Sequence, residues 1–82
     1  MSTNPLNVLS YRIFLREEPE GGYTVTVPTL PGCVTFGDTI QEAIVMAREA
    51  IELYLESLVA HGEAIPNEEG LFEYTVMVPA YA

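Results

Sequence analysis

The 82-residue sequence has no lysine and no tryptophan, and it holds a single cysteine and a single histidine. Its only cationic side chains are Arg12, Arg16 and Arg48, set against 12 Asp and Glu, for a formal net charge of −9. A field of that sign repels phosphate backbones, so direct nucleic-acid binding by this chain is not expected. The same field attracts a basic protein, although plain solubility is the more ordinary use of surface carboxylates. With Cys33 alone there is no intramolecular disulfide, and Cys33 plus His61 cannot supply a Cys/His metal cluster within one chain. No metal and no cofactor are expected. Residues 1–7 lack the basic segment and apolar run of a secretory signal. No apolar stretch reaches the roughly 18 residues a membrane span requires. These absences predict a cytoplasmic protein.

What is present is apolar. Hydrophobic residues make up 49% of the chain and charged ones 18%, a globular balance rather than a disordered one. A chain this short buries only roughly 60–65% of its unfolded surface. It is therefore expected to form one domain over residues 1–82, with 1–8 as a flexible tail, and to leave apolar surface for self-association as a dimer or tetramer.

Alternation of apolar and polar residues predicts strands at 11–15 and 23–27, joined by the Glu-Glu-Pro-Glu-Gly-Gly turn. A short third strand is predicted at 33–36, broken by Gly37. Thr39 followed three residues later by Glu42 fits a capping box, and Asp38 adds negative charge near the helix start. The helix is expected to run from about 40 to 61. Ile40, Ala43, Ile44, Ala47, Ile51, Tyr54, Leu55 and Leu58 form its core stripe, and Gly62 is the stop. A last strand is predicted at 72–78, with Phe72, Tyr74, Val76 and Val78 on one face. The order β-β-β-α-β gives an α+β fold: an antiparallel-type sheet covered on one face by one long helix.

Three features exceed the needs of that fold. Met46, Ala50 and Leu53 lie beside the core stripe and are candidates for an oligomer interface, or for the margin of a wide core stripe. Glu42, Glu49, Glu52 and Glu56 form an acidic helix face with no lysines among them, and the like charges at helical spacing are mildly destabilising. The outer sheet face is expected to carry Thr24, Thr26, Thr35 and Thr75, with Phe14 and Met77 as apolar exceptions.

Catalytic chemistry finds little support. Cys33 has no nearby base in sequence, His61 lies at the far end of the helix, and no phosphate-cradling glycine pattern exists. The carboxylates sit on a turn, a helix face and a loop rather than at converging strand positions. The chain is expected not to be an enzyme, with no catalytic residues.

Glu20-Gly21-Gly22-Tyr23-Thr24-Val25, then Pro28, Leu30-Pro31-Gly32-Cys33, Gly37-Asp38-Thr39 and Glu42-Ala43, followed by Ala50-Ile51-Glu52-Leu53-Tyr54-Leu55, make an ordered set. It resembles the signature of the HicB-like antitoxin family over roughly residues 11–78. Thr29 departs from it, because the family often has an acidic residue before Leu-Pro-Gly. The resemblance implies a partial RNase H-like fold without that fold's catalytic acids, and oligomerisation. It also implies binding to HicA, a small basic RNA-cleaving toxin whose RNA-binding surface the antitoxin occludes. Glu17, Glu18, Glu20, Thr29, Leu30 and Cys33 are the candidate toxin contacts. Typical members add a C-terminal DNA-binding domain, and this sequence is expected to act without one. The alternative is a solitary oligomeric HicB-like module with no cognate toxin.

Overall fold

A computed structural model describes residues 8–81. The tail expected at 1–8 therefore lies, Val8 apart, outside the described residues. Three strands, β1 (Phe14–Glu17), β2 (Tyr23–Thr26) and β3 (Val34–Gly37), precede one helix, α1 (Ile40–Ala60). The sheet is antiparallel in the order β1-β2-β3, so β1 and β3 are its edges. This is the α+β arrangement expected, with one helix laid on one face of the sheet. The strand positions agree with the alternation to within a few residues.

The register decides what faces the helix. Leu15, Val25 and Thr35 lie in one cross-strand row, and Glu17, Tyr23 and Gly37 in the next. Val25 is fully buried, so this is the helix side. Phe14, Thr26 and Val34, and then Arg16, Thr24 and Phe36, form the rows of the opposite face. Thr35 is therefore on the inner face, not the outer one expected from the sequence. The cause is Gly37. A Cβ there would fall 2.3 Å from the Ala43 backbone nitrogen, so the start of α1 rests directly on this backbone. Strand side chains alternate strictly, so placing Gly37 inward turns Thr35 inward and sends Val34 and Phe36 outward.

The buried residues form two clusters, Val25 with Ala43 and Ala47, and Val27 with Leu30 and Cys33. Tyr11, Ile13, Leu15, Tyr23, Ala50, Ile51, Tyr54 and Leu55 are packed against them and partly covered. The small Ala43 and Ala47 let the helix approach the sheet closely.

Both helix ends follow the sequence signals. The Glu42 N–H donates to the Thr39 hydroxyl at 3.0 Å, and the Glu42 carboxylate accepts from the Asp38 N–H. At the other end the Glu63 N–H donates to the Leu58 carbonyl and the Gly62 N–H to the Val59 carbonyl. Gly62 takes φ 69° to make this reversal.

The fourth strand is where structure and expectation part. Residues 71–81 form no strand among the described residues. Phe72, Tyr74, Val76, Met77, Val78 and Tyr81 are all largely in solvent, Tyr74 at 88%. The alternating pattern is present but its pairing partner is not. Correspondingly, Ile40 and Ile44 of the expected core stripe remain 52% and 43% exposed.

Candidate functional site

The β1–β2 turn gathers three of the candidate contact acids. Glu17 ends β1, and the turn closes through Glu18 N–H to the Gly22 carbonyl and Gly21 N–H to the Glu18 carbonyl, both at 2.9 Å. Gly21 and Gly22 adopt φ 107° and 80°, and the ring of Phe36 occupies the space a Cβ on Gly22 would need. Glu17 and Glu20 are exposed. Glu18 is half-buried and accepts from the Thr24 hydroxyl at 2.6 Å, so its carboxylate is held against the sheet.

The bend after β2 is a rigid shelf. The Val27 N–H donates to the Cys33 carbonyl, Leu30 N–H to Val27 and Cys33 N–H to Leu30. The Tyr54 hydroxyl ties it to the helix by donating to the Pro31 carbonyl at 2.8 Å. Leu30 is 0% exposed and Cys33 5%. Both of these candidate contacts are therefore apolar core residues that shape the bend, and its exposed positions are Pro28, Pro31 and Gly32. Burial also pushes the Cys33 thiol up from its ordinary range, which keeps it protonated and unreactive at neutral pH.

Thr29 has a specific internal task. Its hydroxyl donates at 2.7 Å to Glu68, whose side chain is only 8% exposed. The Arg12 N–H donates to both Glu68 carboxylate oxygens at 3.0 Å, and the Arg12 guanidinium adds a third bond at 2.9 Å. Burial alone would raise the Glu68 pKa. The Thr29 hydroxyl, the Arg12 backbone and the Arg12 charge together outweigh it and hold the carboxyl below its ordinary value. Arg12 also donates to the Leu71 carbonyl at 2.7 Å and reaches Glu73 at 3.2 Å. The Tyr11 hydroxyl donates to the Pro66 carbonyl. Burial, and then the nearby Glu68 charge, raises the Tyr11 pKa. This cluster was not legible in the sequence, because a glutamate in a polar loop carries no positional signal.

On the helix, Glu42, Glu49, Glu52 and Glu56 are all exposed, and both ion pairs among the described residues belong to Arg12. The helix acids are thus uncompensated. The candidate interface stripe divides: Ala50 packs on the Val27–Leu30–Cys33 cluster, Met46 is half-buried and Leu53 is 66% exposed. Ala50 belongs to the core face. Among the described residues no group of His, Cys, Asp or Glu is arranged to hold a metal ion, and no helix is long and apolar enough to cross a membrane.

A family profile described as the HicB_like antitoxin of bacterial toxin-antitoxin systems matches residues 11–82. The chain belongs to the HicB-like antitoxin family. A UPF0150 protein of Synechocystis is 44% identical over 69 residues, covering 84% of this chain and 87% of that protein. A UPF0150 protein of Thermoplasma acidophilum is 43% identical over 60 residues, covering 73% of this chain and 87% of its own length. The antitoxin HicB of Escherichia coli is 33% identical over 58 residues, which is 71% of this chain but 42% of that protein. The HicB-like match takes in the acidic turn, the bend, the helix, the Glu68 cluster and the exposed run after it.

Proposed function

We propose that this protein neutralises a small basic ribonuclease toxin of the HicA type, and that it does so as a binding partner without catalysis of its own. Membership of the HicB-like antitoxin family over residues 11–82 carries this reading. The surface supports it: the exposed Glu17 and Glu20 on the hairpin and Glu49, Glu52 and Glu56 on the helix face solvent without cationic neighbours in ion-pair contact. A protein of net charge −9 associates quickly with a cationic surface and covers the region such a toxin uses to hold RNA. The contacts assigned to the toxin are Glu17, Glu18, Glu20 and the rim of the 28–32 bend beside Thr29.

The test is an in vitro translation reaction arrested by the toxin encoded beside this protein. Adding the protein at molar excess is expected to restore translation, and persistent arrest at saturating protein sinks the proposal.

A second reading has its own support. The chain covers 87% of the length of two UPF0150 proteins at 43–44% identity, more than it shares with the longer antitoxin of E. coli. A solitary HicB-like interaction module would show no rescue and no basic reading frame beside its gene.

A further inference from the structure

Among the described residues β1 is an edge of the sheet, and residues 72–78 carry a strand pattern without forming a strand. An open groove runs between the start of β1 and α1, lined chiefly by Tyr11, Ile13, Ile44, Ala47, Ile51 and Leu55. On its helix wall Ile44, Ile51 and Leu55, which the 3.6-residue periodicity assigns to the core, are exposed or half-covered, while Ala47 is buried. Residues 72–78 meanwhile alternate apolar Phe72, Tyr74, Val76 and Val78 with Glu73, Thr75 and Met77, with all seven exposed. With all seven side chains in solvent, the run does not pack back on the sheet or the helix.

The exit route explains why. Arg12 grips Glu68, the Leu71 carbonyl and Glu73. Leu71–Tyr74 share a hollow with Arg12, Phe14, Pro28 and Thr29. Phe14 lies on the sheet face turned away from the helix, so the run departs on the side opposite its own groove.

We propose that residues 72–78 pair with the β1 edge of a second copy of this chain and seat Phe72, Tyr74, Val76 and Val78 in that copy's groove, while the second copy returns its own strand. Each chain carries one strand and one groove, so a single two-fold axis satisfies both at once and the exchange closes as a dimer. Charge selects a second copy over a basic partner. Residues 74–78 carry no ionisable group beyond Tyr74, and the one acid of the run, Glu73, is already held by Arg12, so the run gains little from a cationic surface. The groove is lined mainly by apolar side chains, with Arg48 and Glu52 also in its lining. Size is sufficient: at roughly 150–250 Å² per aromatic ring, Phe72 and Tyr74 from two copies alone bury roughly 600–1,000 Å². A specific interface needs about 1,000 Å² or more. The pairing also covers the β1 edge, whose open backbone groups are otherwise a template for uncontrolled association.

Light scattering on the full chain is expected to give twice the monomer mass. In a sample mixed from two isotope labellings, contacts between residues 72–78 and Ile13, Ile44 and Ile51 are expected to join differently labelled chains. A monomer, or a dimer in which those contacts arise within one chain, overturns the proposal. The double variant Tyr74→Asp/Val76→Asp places charges where a lone chain exposes them to water. It is expected to weaken dimerisation at least a hundredfold while the helical circular dichroism stays unchanged. A variant that still dimerises with wild-type affinity overturns the proposal, and if the variant misfolds, the mixed-label contacts of the wild type decide.

Discussion

Gly37 and Ala43 are in backbone contact: a Cβ on the glycine would lie 2.3 Å from the Ala43 nitrogen and 2.5 Å from its Cα. The neighbours in that contact are main-chain atoms at the start of a helix, which cannot swing aside as a flexible side chain would. Gly37→Ala is therefore expected to push α1 off the sheet and to lower stability by about 1–3 kcal/mol, the usual range for overpacking. Urea unfolding followed by circular dichroism measures this, and a variant as stable as the wild type would show that the helix start has room to move.

Acid weakens the fold through Glu68. Its folded pKa is depressed by Thr29 and Arg12 against the opposing effect of burial. A carboxyl with a folded pKa below its unfolded one stabilises the native state at pH values above the unfolded pKa. That contribution is lost as pH falls from about 4.5 through the lower folded value. Glu68→Gln is expected to lower stability at neutral pH and to flatten the decline between pH 5 and 3. Thermal melts across that window test it, and parallel pH curves for the two proteins would remove Glu68 from the acid response.

The cap at Thr39 accounts for one orphan helix donor directly, since its hydroxyl accepts from the Glu42 N–H at 3.0 Å. Thr39→Ala is expected to cost about 1 kcal/mol. Tyr54→Phe, which removes an exposed hydrogen bond to the Pro31 carbonyl, is expected to cost about 0.5–1 kcal/mol. Denaturant midpoints read both, and the two losses should add, because the sites lie 15 positions apart along the helix and share no partner.

If the acidic hairpin steers a basic toxin, reversing its exposed charges should act on the approach more than on the fit. Glu17→Lys/Glu20→Lys is expected to slow association roughly tenfold at low salt, with the gap closing as salt rises. Stopped-flow binding at several ionic strengths measures this. An unchanged on-rate at low salt would place the contact elsewhere.

The elements that the sequence announced are those set by local chemistry. The Thr39–Glu42 box, the Gly62 reversal and the Gly21-Gly22 turn each depend on neighbours within a few residues, and each stands where the pattern put it. The facing of β3 was missed for a reason outside any strand pattern: the inward residue is the one with no side chain, because a helix backbone rests on it. The Thr29–Glu68–Arg12 cluster was missed because its members are up to 56 positions apart and each is an ordinary surface residue alone. Residues 72–78 alternate as a strand would but form none among the described residues, because a pattern states only what a segment can pair with, not where the partner lies.

Arg12 and Glu68 are 56 residues apart in sequence, and their contact fastens the segment after the helix to the beginning of the sheet. The hairpin, the bend and the helix all close over short stretches of chain, so they have little loop entropy to overcome during folding. The fastening at Arg12, to Glu68, the Leu71 carbonyl and Glu73, has the longest stretch to close and is expected to be made late. By the same logic it is the first to open. Residues 61–81 then form a unit that exchanges its amide hydrogens by local opening, well before the helix and hairpin release theirs.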